Sequence, residues 1–170
     1  GNRSNDETFD VLTGFACTLE TRIGAFSDVI FPGVCTNREQ VGNAVHLFDC
    51  EQVDLIIVVY LSYVPSLYVM PALQRTMRPV LLFDTQMLYQ VTQELQPTDT
   101  GRNHGMHGVQ DLANVLLRAG RPFHIVVGYW EDDAVMAEVK AWCDVSRVRQ
   151  QLSRSRIGLL GFPMESMGDF

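Results

Sequence analysis

The stretch DLIIVVY, residues 54–60, decides the fold. It is a continuous run of mostly β-branched apolar residues, which is typical of a strand buried on both faces of a parallel sheet. Two further runs, PVLLF (79–83) and FHIVVG (123–128), have the same character. DVIFP (28–32) and RIGLLG (156–161) are shorter strand candidates. The chain therefore carries several strands with long segments between them.

The segments between these strands have apolar residues at helical spacing. Capping boxes at Ser4/Glu7 and Thr36/Glu39 predict the starts of two helices. Further helices are predicted over residues 65–77, 85–95, 107–120 and 132–152, and residues 96–105 are predicted to be a loop. Alternating strands and helices predict an α/β fold with a doubly wound, mostly parallel sheet flanked by helices, of Rossmann or flavodoxin-like type.

Composition limits the classes of function. The chain has 170 residues, 46% of them hydrophobic, and a formal net charge of −7, which argues against a nucleic-acid partner. No apolar run approaches the ~18 residues of a membrane span, and no secretory leader opens the chain. We therefore expect a cytoplasmic protein with no membrane partner. The four cysteines form no C-x-x-C pair, so we expect reduced, mostly buried thiols and no zinc.

The stretch NHGMHG, residues 103–108, is the clearest candidate site. It places His104 and His107 among glycines, just before a predicted helix. Free N–H groups at that helix start would favour an oxygen-rich ligand. Three interpretations stay open from the residues alone: a metal site, hydrogen bonding to a ligand, and a structural turn. No acidic residue lies between Gly101 and Val109, which weakens the metal interpretation.

Four segments in order resemble the N-terminal region of the L-arabinose/L-fucose isomerase family. They are LIIVVYLSYVPSLYVMPAL (55–73), RPVLLFDTQ (78–86), NHGMHGVQDL (103–112) and GYWED (128–132). The arabinose isomerase branch has F-H-T-Q, N-x-x-A-H-G and G-H-W-Q-D at matching positions. Asp84 and Tyr129 stand where that branch has histidines.

The resemblance implies an N-terminal fragment of a metal-dependent aldose–ketose isomerase. In such a parent, an intramolecular oxidoreductase, this region would form a substrate wall and contact neighbouring subunits of a trimer or hexamer. It implies that His107, His104, Gln86 and Trp130 face the monosaccharide. It also implies that Mn²⁺ or another divalent metal and the catalytic residues belong to later domains. We therefore predict no catalytic residue, metal ligand or cofactor within this fragment, which alone would be inactive.

The resemblance also bears on domain boundaries. Residues 1–151 are predicted to form the N-terminal domain, and residues 152–170 the start of a second domain or a strand that completes the first. The family pattern has a strand before the first helix, and this chain begins at the helix. We therefore predict that residues 157–160 fill that central position, either in their own chain or swapped into a neighbouring one. Two alternatives to the isomerase interpretation stay open: a stand-alone sugar-binding module of flavodoxin-like fold, and a structural or oligomerisation domain.

Overall fold

A computed structural model describes residues 3–90, 92–158, 160–161 and 165–166, without the side chains of residues 3–6, 97 and 98. These residues form six helices and three strands. In chain order they are α1 (Arg3–Gly24), α2 (Arg38–Cys50), β1 (Ile56–Val58), α3 (Ser66–Arg75), β2 (Val80–Asp84), α4 (Pro97–Arg102), α5 (Gly105–Arg118), β3 (His124–Val127) and α6 (Asp133–Arg154). None of the helices found in these residues is both long and apolar enough to cross a membrane.

The three strands form one parallel sheet in the order β1-β2-β3. Ile56 lies opposite Val80, and Leu81 lies opposite His124. The central strand β2 is fully buried from Val80 to Phe83, as its continuous apolar run predicts. The outer edge of β1 has no partner strand among the described residues. The predicted α/β fold with a doubly wound parallel sheet is confirmed.

Helices cover both faces of the sheet. On one face, α2, α3 and α5 pack against the alternate β2 residues Val80 and Leu82. On the other face, α1 and α6 pack against Leu81 and Phe83. Successive side chains of β2 thus point into two separate apolar clusters, one on each face of the sheet. Each cluster stabilises the packing of its helices against the sheet.

Two strand predictions are wrong. Residues 28–32 are not in a strand, and the side chains of Val29 and Ile30 are 37% and 41% exposed. An extended segment needs a hydrogen-bonding neighbour to form a strand, and the described residues supply none there. Residues 156–158 and 160 are also outside any strand, with Ile157 and Leu160 fully exposed. Residues 157, 158 and 160 therefore add no strand to the sheet of their own chain, and Leu159 lies outside the described part.

The loop after β2 differs from the predicted helix over residues 85–95. Residues 85–90 and 92–95 contain no helix. The Leu88 N–H donates to the Asn103 side chain at 3.1 Å, which ties this loop to the residue between α4 and α5. The predicted loop over residues 96–105 instead contains the short helix α4.

Both predicted capping boxes are misplaced. Asn37, not Thr36, caps α2 by accepting the Gln40 N–H at 2.9 Å. The Gln40 side chain accepts the N–H of Thr36 at 2.7 Å rather than that of the cap Asn37, so the contacts differ from a reciprocal capping box. Helix α1 already includes Arg3, which places Ser4 inside the helix.

The prediction of mostly buried thiols is also wrong. All four cysteines are free, but Cys17 and Cys50 are exposed, and Cys35 and Cys143 are partly buried. Cys17 and Cys50 lie on α1 and α2, on the sides of these helices that face solvent.

Candidate functional site

Three hydrogen bonds tie together the segments at the carboxyl edge of the sheet. The Ser62 hydroxyl, in the loop after β1, donates to the Gly101 carbonyl at 2.7 Å. The Ser66 N–H at the start of α3 donates to Asp111 of α5 at 3.0 Å. Together with the bond from Leu88 to Asn103, these contacts join the segments after β1 and β2 to α4, to α5 and to the residues between these helices. This is the edge at which doubly wound sheets bind ligands.

The two glycines of NHGMHG let α5 approach the segment after β1. A Cβ atom added at Gly105 would overlap the Tyr60 carbonyl oxygen, and one added at Gly108 would overlap the Tyr60 ring. Helix α5 begins at Gly105, so His107 lies in its first turn rather than before it. His104 occupies the cap position without making a capping bond through its side chain. The stretch is therefore mostly the rigid start of a helix, not a loose loop.

The structure brings the two predicted histidines together. The ring centroids of His104 and His107 are 4.5 Å apart at an interplanar angle of 75°. Tyr63, in the loop after β1, lies with its ring centroid 5.9 Å from that of His104. His107 and Tyr63 are exposed and His104 is partly buried. These side chains present hydrogen-bond donors and acceptors beside an aromatic surface, a combination suited to a neutral hydroxylated ligand.

Trp130 and Gln86 follow neighbouring strands at the same edge but are not grouped with the histidines. The Trp130 ring lies 5.8 Å from Phe15 in an edge-to-face contact and belongs to the apolar cluster under α1 and α6. Its indole N–H is buried without a hydrogen-bond partner among the described residues. Gln86 is partly buried two residues beyond the end of β2.

Sequence reasoning missed two aromatic residues. Tyr63 was not singled out, and Tyr89 fell inside the predicted helix that does not form. Tyr89 lies 5.1 Å from Tyr129, and this edge-to-face pair links the loops after β2 and β3. Their positions in the sequence could have indicated these tyrosines, because Tyr63, Tyr89 and Tyr129 each lie within six residues of the end of a strand.

Burial keeps two groups at this edge neutral over a wider pH range than usual. Partial burial raises the pKa of the Asp84 carboxyl at the end of β2. Burial also raises the pKa of the Tyr60 phenol, and the negative charge of Asp111 and the Tyr63 phenol add to this effect. The Tyr60 hydroxyl therefore stays protonated under all ordinary conditions.

The donor set at this edge does not fit the divalent metal that the resemblance implies. The described residues contain no group of three or more His, Cys, Asp or Glu side chains that could hold a metal ion. Mn²⁺ prefers carboxylate, carbonyl and water oxygens, and His104 and His107 offer two imidazoles alone. The His104–His107 pair is therefore suited to hydrogen bonding rather than to holding such an ion.

Comparison with known families agrees with this architecture. The model of the L-arabinose isomerase N-terminal domain matches residues 14–154, a range that runs from within α1 to the end of α6. It includes the three strands and the histidine pair. A search of curated proteins finds no match. The resemblance predicted from the four sequence segments is confirmed, because the family model spans most of the chain. The chain belongs to the L-arabinose isomerase N-terminal domain family.

Proposed function

We propose that this chain is the N-terminal domain of a metal-dependent aldose–ketose isomerase and forms part of the wall of its sugar site. Family membership supports an isomerase parent that acts on a monosaccharide. The observation that carries the wall role is the His104–His107 pair, whose ring centroids lie 4.5 Å apart at the start of α5.

The chemistry of the pair suits sugar hydroxyls. A neutral imidazole has one donor and one acceptor nitrogen, so two of them can bind adjacent hydroxyl groups. The Gly105 and Gly108 contacts with Tyr60 hold the pair on a packed element, which limits the entropy lost on binding. Gln86 and Trp130 would complete the wall from the loops after β2 and β3. Their role would be to bind and orient the sugar, without taking part in proton transfer.

The metal and the subunits are part of the same proposal. Mn²⁺ or another divalent cation would be held by residues of later domains, because the donors among the described residues do not fit it. The parent would be a cytoplasmic trimer or hexamer in which this wall closes a neighbour's site. The exposed apolar side chains of Ile125 and Val127 on β3, 43% and 64% accessible, support subunit contacts. By itself the chain would be inactive.

Replacing His107 by alanine in the full-length parent tests the proposal. Loss of a buried hydrogen bond to a substrate hydroxyl removes ~1–3 kcal/mol, so kcat/KM should fall by roughly tenfold to a hundredfold. The metal content should not change. Steady-state kinetics and metal analysis on the same preparation give both values.

Gln110 provides the matched control, since it is exposed one turn further along α5. Gln110→Ala should keep the kinetics of the natural protein. Unchanged kinetics in His107→Ala would place the pair outside the site. Tight monosaccharide binding by the 170-residue chain alone would favour a stand-alone binding module over the isomerase wall.

A further inference from the structure

Helix α2 carries a histidine and a cysteine on one exposed face. His46 and Cys50 are four residues apart, and the Cys50 Sγ lies 3.7 Å from the His46 Nε2. Both residues are exposed. The backbone that carries them is regular, because Asn37 caps the helix and Ala44 and Val45 bury its other side.

The separation of these two atoms matches that required by a tetrahedral metal ion. Zn–S and Zn–N bonds of about 2.3 and 2.0–2.1 Å at a tetrahedral angle place sulfur and nitrogen about 3.6 Å apart. The observed 3.7 Å is therefore already close to the spacing of a chelate. This contact is a hydrogen bond, which a bound ion would replace.

The local charge is mixed, with Arg75 beside His46 and negative groups at the end of α2. Cys50 is the last residue of α2, where the unpaired carbonyls of a helix carry partial negative charge. Glu51 follows directly and is exposed. Asp49 is already engaged, since it accepts the Thr76 hydroxyl at 2.6 Å and lies 3.5 Å from Arg78. Glu51 thus adds negative potential at this end of the helix, whereas Arg78 balances the charge of Asp49.

Space for further ligands lies beside His46. A cleft of about 360 Å³ is lined by His46, Asp49, Ala72 and Arg75, among others, between α2 and α3. Water molecules can occupy the coordination positions that the protein leaves open. Thr76 and Arg78, which hold Asp49, directly precede β2, so this end of α2 lies at the amino edge of the sheet. The site thus lies at the edge of the sheet opposite to the His104–His107 pair.

We propose that His46 and Cys50 form a two-ligand binding site for a soft divalent cation of the zinc or cadmium type. Cys50 binds as the thiolate and releases its proton to solvent, and His46 binds through Nε2. Water completes the coordination. The absence of C-x-x-C pairs hides this site in the sequence, because the pairing follows the i,i+4 period of a helix instead.

Titration of the 170-residue chain with Cd²⁺ tests the site, since a cadmium–thiolate bond produces a charge-transfer absorption in the ultraviolet. One equivalent should bind with that absorption. His46→Ala, His46→Gln and Cys50→Ser should each lose it. Circular dichroism without metal should show that these exposed substitutions leave the fold unchanged.

Cys17 supplies the matched control, because it is exposed on a helix but has threonines four residues away on both sides. Cys17→Ser should bind Cd²⁺ like the natural chain. Equal loss in Cys17→Ser and Cys50→Ser, or full retention in His46→Ala, would overturn the proposal. Loss in His107→Ala would do the same and move the metal to the other edge. None of these outcomes bears on the kinetics of His107→Ala in the parent.

Discussion

The glycines of NHGMHG show what a single residue type does in this protein. The sequence draws attention to the histidines, but Gly105 and Gly108 determine where they lie. Each glycine allows contact with Tyr60, a residue more than forty positions earlier. Nothing local in the sequence reveals that contact, so the stretch was predicted as the end of a loop. The sequence marks the two histidines as a candidate site, but their contact follows from His104 lying at the cap position of α5 and His107 in its first turn.

Replacing Gly108 by alanine should lower stability although alanine favours helix. The added methyl group overlaps the buried Tyr60 ring, and overpacking of this kind lowers stability by about 1–3 kcal/mol. Denaturant unfolding measures the change.

Gly14 of α1 is the control for that substitution. A Cβ atom there meets nothing within 4 Å, so Gly14→Ala should raise stability by up to about 1 kcal/mol through helix propensity alone. If both variants gain stability equally, α5 does not approach Tyr60 as closely as described.

At the scale of elements, prediction succeeded where the pattern is local. β2, β3 and α6 follow from apolar runs and from Asp132, whose carboxylate accepts the Ala134 N–H at 2.8 Å as a cap. The predictions of a strand over residues 28–32 and of a helix over residues 85–95 were wrong, because the secondary structure of these segments depends on partners elsewhere in the chain. The first lacks a neighbouring strand among the described residues, and the second is held by Asn103. Tyr89 was missed for the same reason, because its contact with Tyr129 depends on the conformation of the loop after β2.

At the scale of the whole molecule, Asp84 gives stability a pH dependence. Burial raises its pKa in the folded protein, so the folded state favours the protonated acid. The destabilising effect of its charge is fully present above that pKa, and it disappears as pH falls below the ordinary aspartate value of about 3.9. Asp84→Asn should therefore raise the melting temperature at neutral pH, by an amount that shrinks as the solution is acidified.

Melting curves of Asp84→Asn and the natural chain over a pH series give this comparison. Asp10 lies exposed on α1, so Asp10→Asn controls for the loss of one negative charge from an acidic protein. A gain of the same size at every pH in Asp84→Asn would show that hydrogen bonding, not ionisation, is responsible.

The open edge of β1 has a consequence for hydrogen–deuterium exchange. The Ile56 N–H donates to the Pro79 carbonyl at 2.9 Å, toward β2, so strand alternation directs the Ile57 N–H to the opposite side. Among the described residues no strand lies there to protect it. Amides of β2 should therefore exchange slowly in deuterated water, while that of Ile57 exchanges fast despite its apolar neighbours. Strand β1, although it is apolar throughout, would then show the hydrogen exchange of an edge strand.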